Sequence, residues 1–314
     1  MTALERHLVA ATRKNTEISY AQAIRHFEQE FGGLLPTSAE IVAQYLATYA
    51  GLLSDSTLRQ RLSALAHWHC SHGFVDPTRN ELVRKTLRGI RAIHPRAQKQ
   101  AKPIQLVDLE RIDAHCRDAA REACLRKDRS SELRAVRDRA LVLLGFWRAF
   151  RADDLANLQI EHVSMRASEG MALFVPTSKA DRENLGRAIQ VPALTRLCPV
   201  EAMAEWIAAS ELQAGPVFRR VDRWGRPGRQ AMNPKSFLPL LRRLLAEAGV
   251  DASDRYSSHS LRRGFSGWAT GNGWDLKTLM EYVGWRDIQS AARYVDPILS
   301  DKQRLEAGLE KRNG

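Results

Sequence analysis

Ser258-His259-Ser260-Leu261-Arg262-Arg263-Gly264 is the stretch around which the chain can be read. His259 and Arg262 are three apart, and a helix puts residues at that spacing on one face, so both can address a single anion. Gly284-Trp285 and then Arg293-Tyr294 follow downstream. Tyr294 brings a hydroxyl that could attack such an anion. Together these residues read as a phosphate-handling site with a tyrosine nucleophile. The rest of the chain is then expected to supply a nucleic-acid partner, further cations and a proton donor.

Two upstream stretches answer that demand. In Phe150-Arg151-Ala152-Asp153-Asp154-Leu155, Arg151 closes a strongly apolar helical segment. A guanidinium is always charged and forks onto phosphate oxygens. Asp154, three residues on, could fix its side chain, the plainer alternative being a surface ion pair, and Arg148 is a rival one turn earlier. Lys179, in Pro176-Thr177-Ser178-Lys179-Ala180-Asp181, lies between two expected strands and is the lone lysine of residues 167–190. A lysine on a hairpin tip is usually just solvated, but one reaching into a groove could protonate a leaving alkoxide. A single His-x-x-Arg match is weak. The ordered set of Arg-x-x-Asp, hairpin Lys, His-x-x-Arg, Gly-Trp and a later Tyr is highly specific.

Composition narrows the classes. The 314 residues allow a sizeable core and two domains. A hydrophobic share of 44% beside 27% charged residues fits a soluble globular chain, and the formal net charge of +12 asks for a polyanionic partner. No secretory signal is evident, and no apolar run approaches the roughly 20 residues of a membrane span. Nucleic acid is therefore favoured over lipid, with a cytoplasmic location. Cys70, Cys116, Cys124 and Cys198 form no C-x-x-C pair, which argues against disulfides and cysteine-rich zinc sites.

Residues 1–92 read as four helices. The first carries Ile18, Ala21, Ile24 and Phe27 at helical spacing, Thr37 with Glu40 forms a capping box for the second, and Asp55-Ser56 opens the third. The fourth starts near Glu81. Between Glu81 and Asp108 there is no acidic residue, whereas Arg84, Lys85, Arg88, Arg91, Arg96, Lys99 and Lys102 all occur. A solvated charged face is the bland explanation. The missing counter-charges favour DNA contact. Residues 93–104 form a basic, proline-bracketed linker.

From residue 105 to 297 the pattern is helical with a short β-rich part: Ile160–Met165, Met171–Pro176 and Arg187–Val191 alternate like strands. The fold class is thus mainly α with a small antiparallel β-sheet in the C-terminal domain. Tyr256 and Tyr282 are alternative nucleophiles, but the apolar setting of Tyr282 suggests packing and Tyr256 precedes the His-x-x-Arg helix. His67, His69 and His72 invite a metal reading. On a helix only His69 and His72 share a face, so no metal site is expected. Arg219 to Trp224 reads as a loop that touches DNA backbone.

On the ordered residue set, the chain resembles the tyrosine recombinase (phage integrase) family. It is closest in style to Cre recombinase, because Trp285 stands where a second His is usual. The resemblance covers nearly the whole chain. It implies a four-helix core-binding domain, a basic strap and a catalytic domain, with site-specific breakage and rejoining of DNA by a tetramer on two sites, without metal, ATP or other cofactor. By the same resemblance Tyr294 forms a 3′-phosphotyrosyl link and Arg151 and Arg262 hold the non-bridging oxygens. Lys179 acts as general acid, His259 assists as base, Trp285 donates its indole N–H and Asp154 steadies the first arginine. The tail, residues 298–314, is expected to dock on a neighbouring protomer, docking on its own domain being the alternative. Accessory DNA-bending proteins are further expected partners. A regulator of the same fold without catalysis and a type IB topoisomerase are the competing functions; the complete residue set argues against the first, the basic amino-terminal half and the tail against the second.

Overall fold

Ser38, Ser54 and Asn80 each leave the backbone extended and turn a side-chain oxygen onto an amide of the helix that follows, at Ile41, Thr57 and Leu82. They open α2 (Ala39–Thr48), α3 (Asp55–Ser71) and α4 (Glu81–Ile93), behind α1 (Lys14–Arg25). The computed structural model describes residues 14–95, 100–166, 169–176, 186–292 and 294. Arg96, Lys99, Lys179 and the tail at 298–314 lie outside the described residues.

Contacts divide the chain into Met1–Lys99 and Gln100–Gly314. In the first unit Phe27, Tyr45, Leu46, Leu58, Leu65 and Val83 form the core. Of the four apolar positions expected inside, Ile24 and, just beyond α1, Phe27 join the core, whereas Ala21 is exposed and Ile18 is 49% exposed, Ala23 being buried instead. The cap of α2 also falls one residue later than expected, because the Thr37 amide is spent on His69 Nε2 at 3.0 Å.

The second unit is built on α6 (Arg129–Trp147), apolar around most of its circumference from Val136 to Phe146 and buried accordingly. Against it pack α5 (Leu106–Leu125) and α8 (Pro199–Ser210). The buried Arg139 of α6 ties both neighbours, reaching Asp113 and Glu205 at 2.7 Å and Glu201 at 3.3 Å. Between α6 and α8 lie the short α7 (Ala152–Ala156) and an antiparallel sheet of β1 (Val163–Arg166), β2 (Gly170–Val175) and β3 (Arg187–Pro192), in that order. Leu173 faces Ile189 in register, and Met171, Leu173 and Val175 alternate inward as a half-buried strand requires. The unit is mainly helical with small antiparallel sheets, as the sequence indicates.

One expectation is corrected. The arginine-rich run at 219–223 is not a simple loop but the start of a second ribbon, β4 (Arg219–Val221) with β5 (Pro227–Ala231). Its strands are too short and too polar to show alternation. Helices α9 (Phe237–Glu247), α10 (Ser260–Gly271), α11 (Leu276–Val283) and α12 (Ile288–Ala292) complete the unit. Among the described residues, no helix is long and apolar enough to cross a membrane.

Candidate active site

The His259 motif is fixed by its small neighbours. The Ser257 amide donates to Ser260 Oγ at 2.9 Å and the His259 amide to Ser257 Oγ at 3.1 Å, which sets His259 at the mouth of α10. The Ile104 amide donates to the Ser260 carbonyl at 3.1 Å. Gly264 lets that strand of chain lie flush on the helix, since a Cβ there would run into the Ile104 carbonyl oxygen. Leu261 and Phe265 anchor α10 in the core, and this orientation drives Arg262 inward to 2% exposure.

Arg262 donates one N–H to the Ala149 carbonyl at 2.7 Å. Its Nε and its other terminal nitrogen are buried with no hydrogen-bond partner among the described residues. Ala149 sits at φ 48° in the turn that leads from α6 to Arg151. The bond therefore sets the two arginines side by side. Burial, and then the charge of Arg151, push Arg262 down to about 9, while Tyr294 and Asp154 pull it up. It still carries its proton at neutral pH.

Asp154 acts on Arg151 differently from the expectation. Its carboxylate accepts the Arg151 backbone amide at 3.0 Å, capping α7, rather than gripping the guanidinium. Arg148, the rival, is buried and committed elsewhere: it donates to the Tyr282 carbonyl at 2.8 Å and lies 3.7 Å from the centre of the Tyr282 ring.

Gly284, at φ 79°, ends α11, and its amide returns to the Met280 carbonyl at 2.8 Å. Trp285 follows, 6% exposed, with an indole N–H that is buried and unpartnered among the described residues. Its ring lies 4.9 Å from the Arg262 guanidinium and stacks on Tyr294 at 5.1 Å and 24°. The Tyr294 hydroxyl is 3.0 Å from His259 Nδ1. Arg151, Asp154, Arg187 and Trp285 line a cleft of about 310 Å³.

Of the residues singled out from sequence, the structure brings Arg151, Asp154, His259, Arg262, Trp285 and Tyr294 together. The two alternative tyrosines have other uses. Tyr256 is fully buried with its hydroxyl donating to Asp108 at 3.2 Å, and the Tyr282 hydroxyl donates to the Trp147 carbonyl at 2.9 Å. His69 uses both ring nitrogens within the fold, Nδ1–H donating to the Leu65 carbonyl at 2.7 Å while Nε2 accepts from Thr37. Among the described residues no group of three or more His, Cys, Asp or Glu could hold a metal.

The basic set outside the cleft divides. Arg88 pairs with Glu81 at 2.6 Å and Arg91 with Asp55 at 2.7 Å, so the counter-charges absent from the 82–107 window come from the first turn of α4 itself and from α3. Despite a desolvation that raises it, Asp55 is held below the usual carboxylate range by hydrogen bonds from Arg91 and Arg59. Arg84 and Lys85 are exposed and make no ion pair among the described residues. Lys102 sits in the second unit with its ammonium 4.9 Å over the Tyr256 ring. Sequence reasoning missed Arg187, whose partners are backbone carbonyls and leave no signature in side-chain spacing.

With that geometry in place, known proteins can be compared. Residues 120–299 match the model of the Phage integrase family. An integrase/recombinase XerD homolog from Selenomonas ruminantium is 27% identical over 301 residues, covering 93% of this chain and 84% of its own. The fold is similar to that of the XerH site-specific recombinase in a post-cleavage complex with palindromic difH substrate (TM-score 0.63, 18% identity, 94% of this chain and 79% of that one). It is also similar to the Tn1549 transposon integrase in complex with transposon right end DNA (TM-score 0.64, 13% identity, 97% of each chain).

Proposed function

The chain belongs to the phage integrase family of tyrosine recombinases, and on the cleft geometry we propose that it is a site-specific DNA recombinase acting through a 3′-phosphotyrosyl intermediate. The observation that carries the reading is the Tyr294 hydroxyl 3.0 Å from His259 Nδ1, beside a buried guanidinium with two donors unpartnered among the described residues.

In this reading Tyr294 Oη attacks the scissile phosphorus and its proton passes to His259 Nδ1. Unperturbed, a phenol with pKa near 10 is a poor nucleophile at neutral pH, so a base and a cationic surround are both required. Negative charge gathers on the non-bridging oxygens as the phosphorus becomes pentavalent. Arg151, the idle nitrogens of Arg262 and the Trp285 indole N–H would donate to them, positioned before the reaction begins. Trp285 can donate but cannot shuttle a proton. The leaving 5′-oxygen takes its proton from Lys179. Attack by a 5′-hydroxyl on the phosphotyrosyl link reverses every step, so one phosphoester is exchanged for another.

Arg84 and Lys85, with Arg96, Lys99 and Lys102 of the basic stretch, would supply sequence-independent phosphate contacts, Arg88 and Arg91 adding less because each must first release its carboxylate, and the β4–β5 ribbon with Arg220, Arg223 and the exposed Trp224 would add to them. Strand exchange would take place twice in sequence within a tetramer, with residues 298–314 docking on a neighbouring protomer.

A suicide duplex nicked beside the cleavage position tests the chemistry. Selection from random duplexes first supplies a bound site. Covalent protein–DNA product is expected, and Tyr294→Phe should abolish it. Tight binding without any covalent product would instead mark a regulator. Covalent product with relaxed supercoils and no joint molecules would mark a topoisomerase.

A further inference from the structure

The last turn of α11 has carbonyls its own helix cannot satisfy. Gly284 and Trp285 both return their amides to Met280, at 2.8 and 2.9 Å, which leaves the carbonyls of Glu281 and Tyr282 to donors from elsewhere. Arg187, the first residue of β3, donates to both, at 3.2 Å to Tyr282 and closer to Glu281. Arg148, from the end of α6, donates to the same Tyr282 carbonyl. Two guanidinium groups from separate elements thus meet the negative end of one helix. Burial holds both below the usual arginine range, and the charge of Arg187 adds to the lowering at Arg148.

Gly284 completes the fit. Its left-handed φ of 79° turns the chain towards Trp285, and a Cβ at this position would collide with a terminal nitrogen of Arg187. What this corner carries is Trp285, stacked on the Tyr294 ring and lying against Arg262. Displacing the end of α11 by a fraction of an ångström therefore moves the indole and, with it, the phenol.

We infer that Arg187 is a positioning residue: by gripping the last carbonyls of α11 it sets Trp285, and through Trp285 it sets the Tyr294 ring for attack. The inference rests on the proposed cleavage reaction. It separates Arg187 from the phosphate-holding pair, since its effect runs through the indole rather than through the substrate.

Single-turnover cleavage of the suicide duplex decides it, measured for the wild type, Arg187→Ala, Arg187→Lys, Trp285→Ala and the Arg187→Ala/Trp285→Ala double variant, each with its DNA affinity and thermal midpoint. Arg187→Ala should slow cleavage roughly 10- to 100-fold, the scale of a small displacement in a pre-positioned site, with DNA affinity within about two-fold of wild type. Arg187→Lys, which keeps the charge and a single donor nitrogen in place of the guanidinium fork, should recover part of the rate. In the Trp285→Ala background, where no ring is left to carry the displacement to Tyr294, the same Arg187→Ala change should cost no more than about two-fold. An equal loss in both backgrounds would overturn the inference. So would a fall in DNA affinity large enough to make Arg187 a phosphate ligand, or an unchanged rate in Arg187→Ala. Absence of cleavage by the wild type itself is the separate result that removes the proposed reaction, and the inference with it.

Discussion

Arg262 and Arg91 both sit on helices of a basic protein, yet they are held in opposite ways. Arg91, on α4, is exposed and already has its carboxylate, Asp55, at 2.7 Å. Arg262, on α10, is 2% exposed, spends one N–H on a backbone carbonyl and has two nitrogens without a partner among the described residues. An exposed ion pair contributes little, about 0–1 kcal/mol, and can be exchanged cheaply for a phosphate. A buried unpartnered donor costs about 1–3 kcal/mol, more when charged. A folded chain keeps such an arrangement where a ligand relieves it. Under the proposed function a DNA phosphate relieves Arg262, whereas on α4 it would compete with a carboxylate already in place.

The sharpest break of this comparison is Arg262→Met. Cleavage should fall by at least about 10³-fold, since several donors to one developing charge are lost together. Stability should stay level or rise, because removing a poorly compensated buried charge is often neutral or favourable. The pH sign supports this. A base depressed from the usual arginine range to about 9 carries its full folding penalty below that value and is relieved of it only as pH rises towards the unfolded value, so at neutral pH the wild type bears all of it. Thermal melts of both proteins check the point. A midpoint drop of many degrees in Arg262→Met would show that the guanidinium is a structural strut and that the contrast with Arg91 is misplaced.

A smaller effect is expected from Trp285→Phe, which keeps a stacking ring against Tyr294 and removes only the idle N–H. Cleavage should slow by about 10²-fold, the scale of one neutral donor to a developing oxyanion. DNA affinity should hold. A loss as deep as that of Tyr294→Phe would mean that a phenyl ring cannot hold Tyr294 as the indole does, so that positioning by Trp285 outweighs its donation to the phosphate.

The sequence carried most of the candidate site because its members are side chains with chemical identity. His259, Arg262, Trp285 and Tyr294 occur in an order that few folds would bring together, and the apolar runs around them give the helices. What stayed hidden was work done by backbone. Asp154 serves the amide of Arg151, the turn at Ala149 accepts from Arg262, and Arg187 reaches carbonyls at the end of α11. Backbone groups are the same at every position, so no residue pattern announces them. The start of α1 departs from its expected face for a related reason. Ile18 has the spacing of a core residue, but nothing in its own helix says which side the neighbours cover.

The weakest expected effect lies on α4, and it tests whether ion-pair status sorts the basic residues there. Arg84 and Lys85 are exposed and make no ion pair among the described residues, whereas Arg88 and Arg91 are paired with Glu81 and Asp55. A free cation gains a phosphate at no cost, but a paired one must first release its carboxylate, and that carboxylate then repels the DNA. Replacing Arg84 and Lys85 by Gln should make the slope of log K against log salt shallower by about 2, close to one for each phosphate that is no longer neutralised. Arg91→Ala should change that slope by less than about 0.5, while lowering stability by about 0.2–1 kcal/mol through the broken pair with Asp55. The reverse ranking, with Arg91 dominating the salt dependence, would mean that DNA strips the local pairs from α4, and that ion-pair status in the free protein is no guide to which cations meet phosphate.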